Sequence, residues 1–560
     1  MSDIFELFFV FFQILFICIF LSLSGFLFKK FIFNEHDTKN FEENGLFGFL
    51  LIGFISLVIN FFSPLNFLIN NIFFILIILT AYKFNFFKQD KVKLLKYAFF
   101  ASTICYIFMI YANVNTPDAF LYHLPYSSII NENKIMIGVS NVHSRFSHIS
   151  IFQYISSFFN NSFFKTNGLL IPIALLTSYF LIYSFKQFKK NFKNDSSRVN
   201  SYFIFLILVF SLYSFNRYSG YGNDSQVHIY YFLTIIYLLN FFIVKKSLLT
   251  FQKLSAVCLF TFLIKPFYII SLIIPFVVFL IIRNNYIIFR SKFFVFSLFF
   301  VFFWILKNFF ISACFIYPIK VTCVDDVSWY NSNVGSISIS GEAWSKAWPD
   351  KIIQNITQEN FNKNFNWVTS WSKSHLLVIF EKLLPILIFL FINFLFFYFS
   401  RCLKKNIPDS NKTFFSLALL MSFFFTIIWF LKFPIYRYGQ SFIYILMIFT
   451  LYFIFIRNIE FEKISKFYNV FITCIIVIFL GIVSKNLNRI YNDSSQSITS
   501  LLHPGRVNAQ SIKVFNSDNK FIHYTKKDND LCGYSPSPCH NIKVNVGIKN
   551  LYGYKVYYNY

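Results

Sequence analysis

Residues 293–313 read FFVFSLFFVFFWILKNFFISA, an unbroken apolar run whose one ionisable side chain, Lys307, sits near its far end. A helix rises 1.5 Å per residue, so a run of about 20 residues crosses the roughly 30 Å hydrocarbon core of a bilayer. Further runs of this kind occupy 4–28, 46–61, 65–82, 97–112, 168–185, 201–215, 227–244, 254–264, 267–282, 376–400, 414–430, 442–456 and 468–483, fourteen in all. A single soluble core does not bury 87 Phe distributed in this way. The composition agrees, with 56% hydrophobic, 23% aromatic and 13% charged residues and a mean hydropathy of +0.58. A cytosolic enzyme, a secreted disulfide miniprotein and a disordered scaffold are excluded. The expected fold is an all-α integral membrane protein of about 12–14 transmembrane helices, with a polytopic domain over 1–484 and a small tail over 485–560.

The runs 254–264 and 267–282 are divided only by Lys265-Pro266 and read as two short crossings. One kinked helix is the alternative, but about 29 residues exceed a simple crossing. The formal charge of +26 does not imply nucleic acid, because Lys and Arg fall in short connections and form no continuous basic face. They set topology instead. Lys29-Lys30, Lys83 to Lys96, Lys186 to Arg198, Lys245-Lys246, Arg283 to Lys292, Arg401 to Lys405 and Arg457 to Lys466 occupy every second connection, as cytoplasmic loops do. Both termini, the loops 113–167, 216–226, 314–375 and 432–441, and the tail are then expected on the periplasmic side of a bacterial inner membrane. The first run has no basic segment before it and no small-residue cleavage site after it, so a cleavable signal is not expected.

Of nine Cys, four fall in outer segments. Cys314 with Cys323, and Cys532 with Cys539, are spaced to close small loops in an oxidising compartment; four free thiols, or a cross-pairing of loop with tail, are the alternatives. The spacing from Cys532 to Cys539 is too wide for the usual zinc knuckle, and no second Cys pair sits nearby, so a metal site is not indicated.

Polar residues that carry chemistry gather in the outer segments. The first reads NTPDAFLYHLP over 115–125 and continues through Arg145 and His148; a second, NRYSGYGND over 216–224, ends on Asp224. Lys265, Lys307-Asn308 and Arg437 each stand at the outer end of a run. Ionisable groups beside membrane spans are costly to keep, which makes this grouping informative. It suits sugar transfer from a lipid-linked donor. A polyprenyl phosphate leaves readily, so one carboxylate acts as base on the acceptor hydroxyl while cations hold the phosphate. Asp118 is the candidate base, with Asp224 a second carboxylate and His123 a group that orients the base or relays a proton. Arg145, His148, Lys265 and Arg437 are the candidates for donor phosphate. Ordinary roles compete with each assignment: helix capping for Asp118 and Asp224, lipid anchoring for the cations, solvation for the histidines. Trp329, Trp344, Trp348, Trp367 and Trp371 crowd one outer loop, as sugar-stacking platforms or as an interfacial aromatic belt.

Asp118 followed by Tyr122-His123-Leu124-Pro125, the later Lys265-Pro266 and the Arg437-Tyr438 pair resemble the C-type (GT-C) glycosyltransferase superfamily, multi-spanning enzymes that use polyprenyl-linked sugars. The chain is more closely similar to an uncharacterised family of bacterial integral membrane proteins resembling those encoded with surface-polysaccharide genes. That likeness rests on 118–125, 141–147, Lys307-Asn308 with 314–318, 429–439 and the CGYSPSPC segment at 532–539. It implies a membrane glycosyltransferase working on a cell-envelope glycan acceptor, with the bilayer and a polyprenyl-linked sugar as partners, no cofactor indicated and a divalent metal left open. The chain departs from the superfamily pattern in placing this loop after the fourth run, and in lacking a second acid beside Asp118. A polymerase or ligase of lipid-linked oligosaccharides would use the same outer groups. A flippase or other transporter predicts mid-membrane ionisable groups and two similar halves; mid-run positions here are nearly all Phe, Ile, Leu and Val, Glu381 being the main exception.

Overall fold

The computed structural model describes residues 2–35, 40–86, 91–109, 118–194, 197–215, 221–282, 286–348, 356–400, 402, 412–492, 515–516, 522–525 and 531–559. Thr116-Pro117, the stretch 216–220, and the connection residues Lys88, Arg283, Arg401, Lys404 and Lys405 lie outside these.

Each of the fourteen apolar runs corresponds to a helix: α1 Ser2–Ile32, α2 Phe41–Phe62, α3 Phe67–Lys83, α4 Lys91–Met109, α5 Asn167–Phe192, α6 Arg198–Ser214, α7 Asp224–Leu239, α8 Leu248–Ile264, α9 Ile273–Ile281, α10 Lys292–Ser312, α11 Leu377–Phe399, α12 Lys412–Lys432, α13 Tyr436–Ile454 and α14 Tyr468–Asn492. Among the described residues, ten helices are long and apolar enough to cross a membrane, and α3, α6, α8 and the segment ending in α9 are shorter. The protein is a multi-pass, predominantly α-helical membrane protein. The last helix continues past the expected boundary at 484 to Asn492. At Lys265-Pro266 the chain does break: Lys265 is extended (φ −144°, ψ 111°), and a 3₁₀ segment, Pro266–Leu272, leads into α9. A residue before proline disfavours the helical region, which is the local cause.

Burial separates centre from rim. In α5, 94% of the most apolar window is buried, against 17% in the stretches containing α11 and α14. The exposed Phe, Leu and Ile on those outer helices are the surface that lipid covers. Helices α1 and α2 make the closest crossing, through Gly25 and Gly48: a Cβ on Gly25 would collide with the Asn44 carbonyl, and one on Gly48 with that of Leu21. Small residues bring helix backbones together in this way where no hydrophobic effect drives association.

The two ends of the bundle carry different charge clusters. One end gathers the segments expected to be cytoplasmic. There Glu43 meets Lys29 at 2.7 Å and Lys253 at 2.9 Å, Glu35 pairs with both lysines, and Lys186 holds Glu42 at 2.6 Å. Tyr237 donates to Glu43 Oε1 at 2.9 Å. This buried network ties α1, α2, α5, α7 and α8 together. The opposite end gathers the segments expected to be outside.

There the sequence reading of 113–167 as loop is incomplete. The stretch folds into a π turn, Ala119–His123, that runs into the helix Leu124–Glu132, then 3₁₀ turns at Val139–Asn141 and Ser144–Ser147, and a helix, Ile151–Phe159. These elements are too short to register as membrane runs, yet they bury Phe120, Ile130, Tyr154 and Phe158. The described part of the tail packs on this layer as a small β structure. Strands Val546–Leu551 and Tyr554–Asn559 form a hairpin, closed by Tyr552 and Gly553, both at positive φ as a two-residue primed turn requires. The second strand bridges Val556 to Ile137. Disulfides join Cys314 to Cys323 and Cys532 to Cys539.

Candidate functional site

Five charged side chains form one line of alternating sign at this end. Arg145 Nη1 lies 3.3 Å from Asp118 Oδ1, and Asp118 Oδ2 lies 3.4 Å from Arg437 Nη1. Arg437 Nε is 3.8 Å from Asp224 Oδ2, and Asp224 Oδ1 is 2.6 Å from Lys265 Nζ. They arrive from five separate segments. Three cations against two carboxylates leave one positive charge. Lys265 is 19% exposed, whereas both carboxylates are about one-third exposed and both guanidinia nearer one-half, so the line borders solvent.

Local structure explains each placement. Asp118 precedes the π turn, and its side chain makes no capping hydrogen bond. Asp224 opens α7 and turns to Lys265. Lys265 is thrown sideways by the extended backbone before Pro266, and its ammonium sits 3.5 Å over the Tyr438 ring. Arg437 lies in the first turn of α13, where Trp429 Nε1 donates to the Ile435 carbonyl at 3.0 Å and Trp371 Nε1 to that of Pro434 at 2.7 Å. Tyr122 lies beneath the Arg145 guanidinium at 5.1 Å.

The two expected histidines do not join the line. His123 is buried, with Nδ1 2.9 Å from Gln153 Nε2. Gln153 Oε1 accepts from the Ser150 backbone N–H at 2.8 Å, so its amide group must donate to His123, whose own proton is then on Nε2. Burial holds this imidazole down to about 4, the nearby Asp118 and Asp224 opposing the shift. His123 is a neutral wall behind the carboxylates. His148 stands edge-on to Tyr317 at 5.0 Å, and burial, with Arg145 and Lys265 within electrostatic reach, holds its imidazole down to about 4. Of the five loop tryptophans, Trp367 and Trp371 are buried, and Trp329 donates to the Phe309 carbonyl at 3.1 Å. Trp344 is 47% exposed, its ring 5.7 Å from the Arg437 guanidinium carbon.

One group escaped the sequence reading. His228 Nε2 lies 2.8 Å from the Arg437 carbonyl and Nδ1 2.9 Å from Ser441 Oγ, and the Tyr268 hydroxyl is 3.1 Å from Nδ1. It fixes the start of α13 against α7. The available signal was its place four residues after Asp224 on an otherwise apolar helix, which puts both on one face.

A divalent cation does not fit these residues as arranged. The Arg437 guanidinium lies between the two carboxylates, and no three His, Cys, Asp or Glu gather among the described residues.

Residues 7–444 match a protein family described as a domain of unknown function, DUF8201. No curated protein and no solved structure matches the chain.

Proposed function

Starting from the chain's membership of the DUF8201 family of unknown function, we propose that this protein is a membrane glycosyltransferase. It transfers a sugar from a polyprenyl-phosphate-type donor to a cell-envelope glycan acceptor on the periplasmic face. The observation that carries the reading is the convergence of Asp118, Asp224, Arg145, Lys265 and Arg437 from distant parts of the sequence on one solvent-bordering line. Its surplus cation favours an anionic ligand, and its cations are already directed at oxyanions. In this reading Arg437 and Lys265 pass from carboxylate to donor phosphate, stabilising the charge that develops on the leaving group. Asp118, released from its long contacts, accepts the acceptor hydroxyl proton as the glycosidic bond forms. Trp344 offers the pyranose a flat apolar face beside the charges.

The test is Asp118→Asn, which keeps shape and removes the base. Turnover should fall roughly 10²–10⁴-fold with donor binding little changed, whereas Arg437→Ala or Lys265→Ala should weaken retention of donor. Polysaccharide synthesis and lipid-linked donor binding, measured side by side at equal protein levels, distinguish the two effects. Normal synthesis in all three variants would end the proposal and return the transporter reading.

A further inference from the structure

Lys307, on α10, is fully buried, and its ammonium has no hydrogen-bond or ion-pair partner among the described residues. Its close neighbour is the Trp304 ring, 3.3 Å from Nζ. The other buried lysines, Lys29, Lys253 and Lys346, each meet a carboxylate within 3 Å. A buried lysine side chain with neither a counter-charge nor a hydrogen-bond acceptor is unfavourable, and a bound anion would supply both. Other buried donors on α10 and on the turns packed against it are also unpartnered among the described residues. Trp304 Nε1 is buried without a partner, and so are the hydroxyls of Ser140 and Ser147 on the two 3₁₀ turns that pack against α10. The Gly138 N–H donates to the Phe310 carbonyl at 2.7 Å, pinning the start of those turns within one helical turn of Lys307.

An ammonium, an indole N–H and two hydroxyls are all able to donate, and no acceptor among the described residues satisfies them. A multi-oxygen anion supplies the missing lone pairs, and a compact ammonium binds phosphate as a point charge. We propose that Lys307 is the anchor of a second anion site, distinct from the Asp118–Lys265 line, that takes a phosphoryl or diphosphoryl group. The site lies about 8 Å in from the end of α10, within reach of a group at the membrane surface. It goes beyond the transferase reading and does not depend on sugar transfer taking place.

The source of the phosphoryl group, lipid-borne or free, is separated by the probes. Thermal unfolding of the purified full chain in detergent is followed with farnesyl diphosphate, with inorganic pyrophosphate and without ligand. Farnesyl diphosphate should raise the midpoint of the wild type, and a matching rise with pyrophosphate would identify a free anion as sufficient. Lys307→Met should unfold no earlier than wild type without ligand, and its apparent affinity for the probe should fall about tenfold or more, because a charge-assisted contact is lost. Should Lys307→Met fail to fold, Trp304→Phe, which removes only the indole donor, should weaken probe binding several-fold. A wild type that responds to neither probe overturns the proposal, as does a Lys307→Met, or in its place a Trp304→Phe, that responds like wild type. Lys307-dependent probe binding in a protein that transfers no sugar would keep this site and remove the transferase reading; sugar transfer unaffected by Lys307→Met, with unchanged probe binding, would do the reverse.

Discussion

At the scale of single residues, polar groups near the site are defined by what surrounds them more than by their type. Asp118 and Asp224 both stand where a capping carboxylate is ordinary, yet each turns to a cation from a distant segment. His123 shows the opposite outcome, since burial and the Gln153 amide keep it neutral. Its pKa in the folded protein, about 4, lies below the ordinary value of 6.5, so between these limits the unfolded chain binds more protons. Stability from neutral His123 is therefore complete above about pH 6.5 and is lost as pH falls towards 4. Replacing His123 by Gln, which retains a polar partner for Gln153, should flatten the pH dependence of the unfolding midpoint across that window. An unchanged slope would show that other groups govern acid unfolding.

At the scale of elements, the tail acts on the site through backbone contacts. Gly533 donates to the Phe120 carbonyl at 2.8 Å, two residues from Asp118, and Glu132 Oε2 accepts from both the N–H and the hydroxyl of Ser537 at 2.8 Å. Gly533 has φ +61°, and a Cβ there would lie 2.7 Å from the Phe120 ring. Gly533→Val should thus loosen the tail, raising protease cleavage within 531–559 while the charged line keeps all its members; unchanged protection would remove the docking argument. The buried network at the other end invites a different test. Glu43→Gln leaves Lys29 and Lys253 to share Glu35, and breaking a buried pair from one side costs about 3–5 kcal/mol. The unfolding midpoint should drop markedly, and a stability equal to wild type would mean that water already screens the cluster.

At the scale of the whole molecule, segments that the charge pattern assigns to opposite sides of a membrane gather at opposite ends of the bundle. If the site faces the periplasm, a reporter active only in the cytoplasm and fused at Tyr560 should be silent, since 531–559 packs on the site layer; activity there would invert the topology. The sequence by itself determined the membrane class, the apolar runs from which the long helices form and the break at Lys265-Pro266. Those properties depend on local hydropathy, span length and proline sterics, which are written in neighbouring residues. It also marked Asp118, Asp224, Arg145, Lys265 and Arg437 as candidates, by their place at the ends of apolar runs. Only the tertiary structure decided that these five meet, that His123 is buried and neutral beside them, that His228 braces Arg437 and that Lys307 is left without a counter-charge. Which groups touch, and which are stripped of water, is set by packing between segments 27 to 319 residues apart, and hydropathy along the chain contains no record of that.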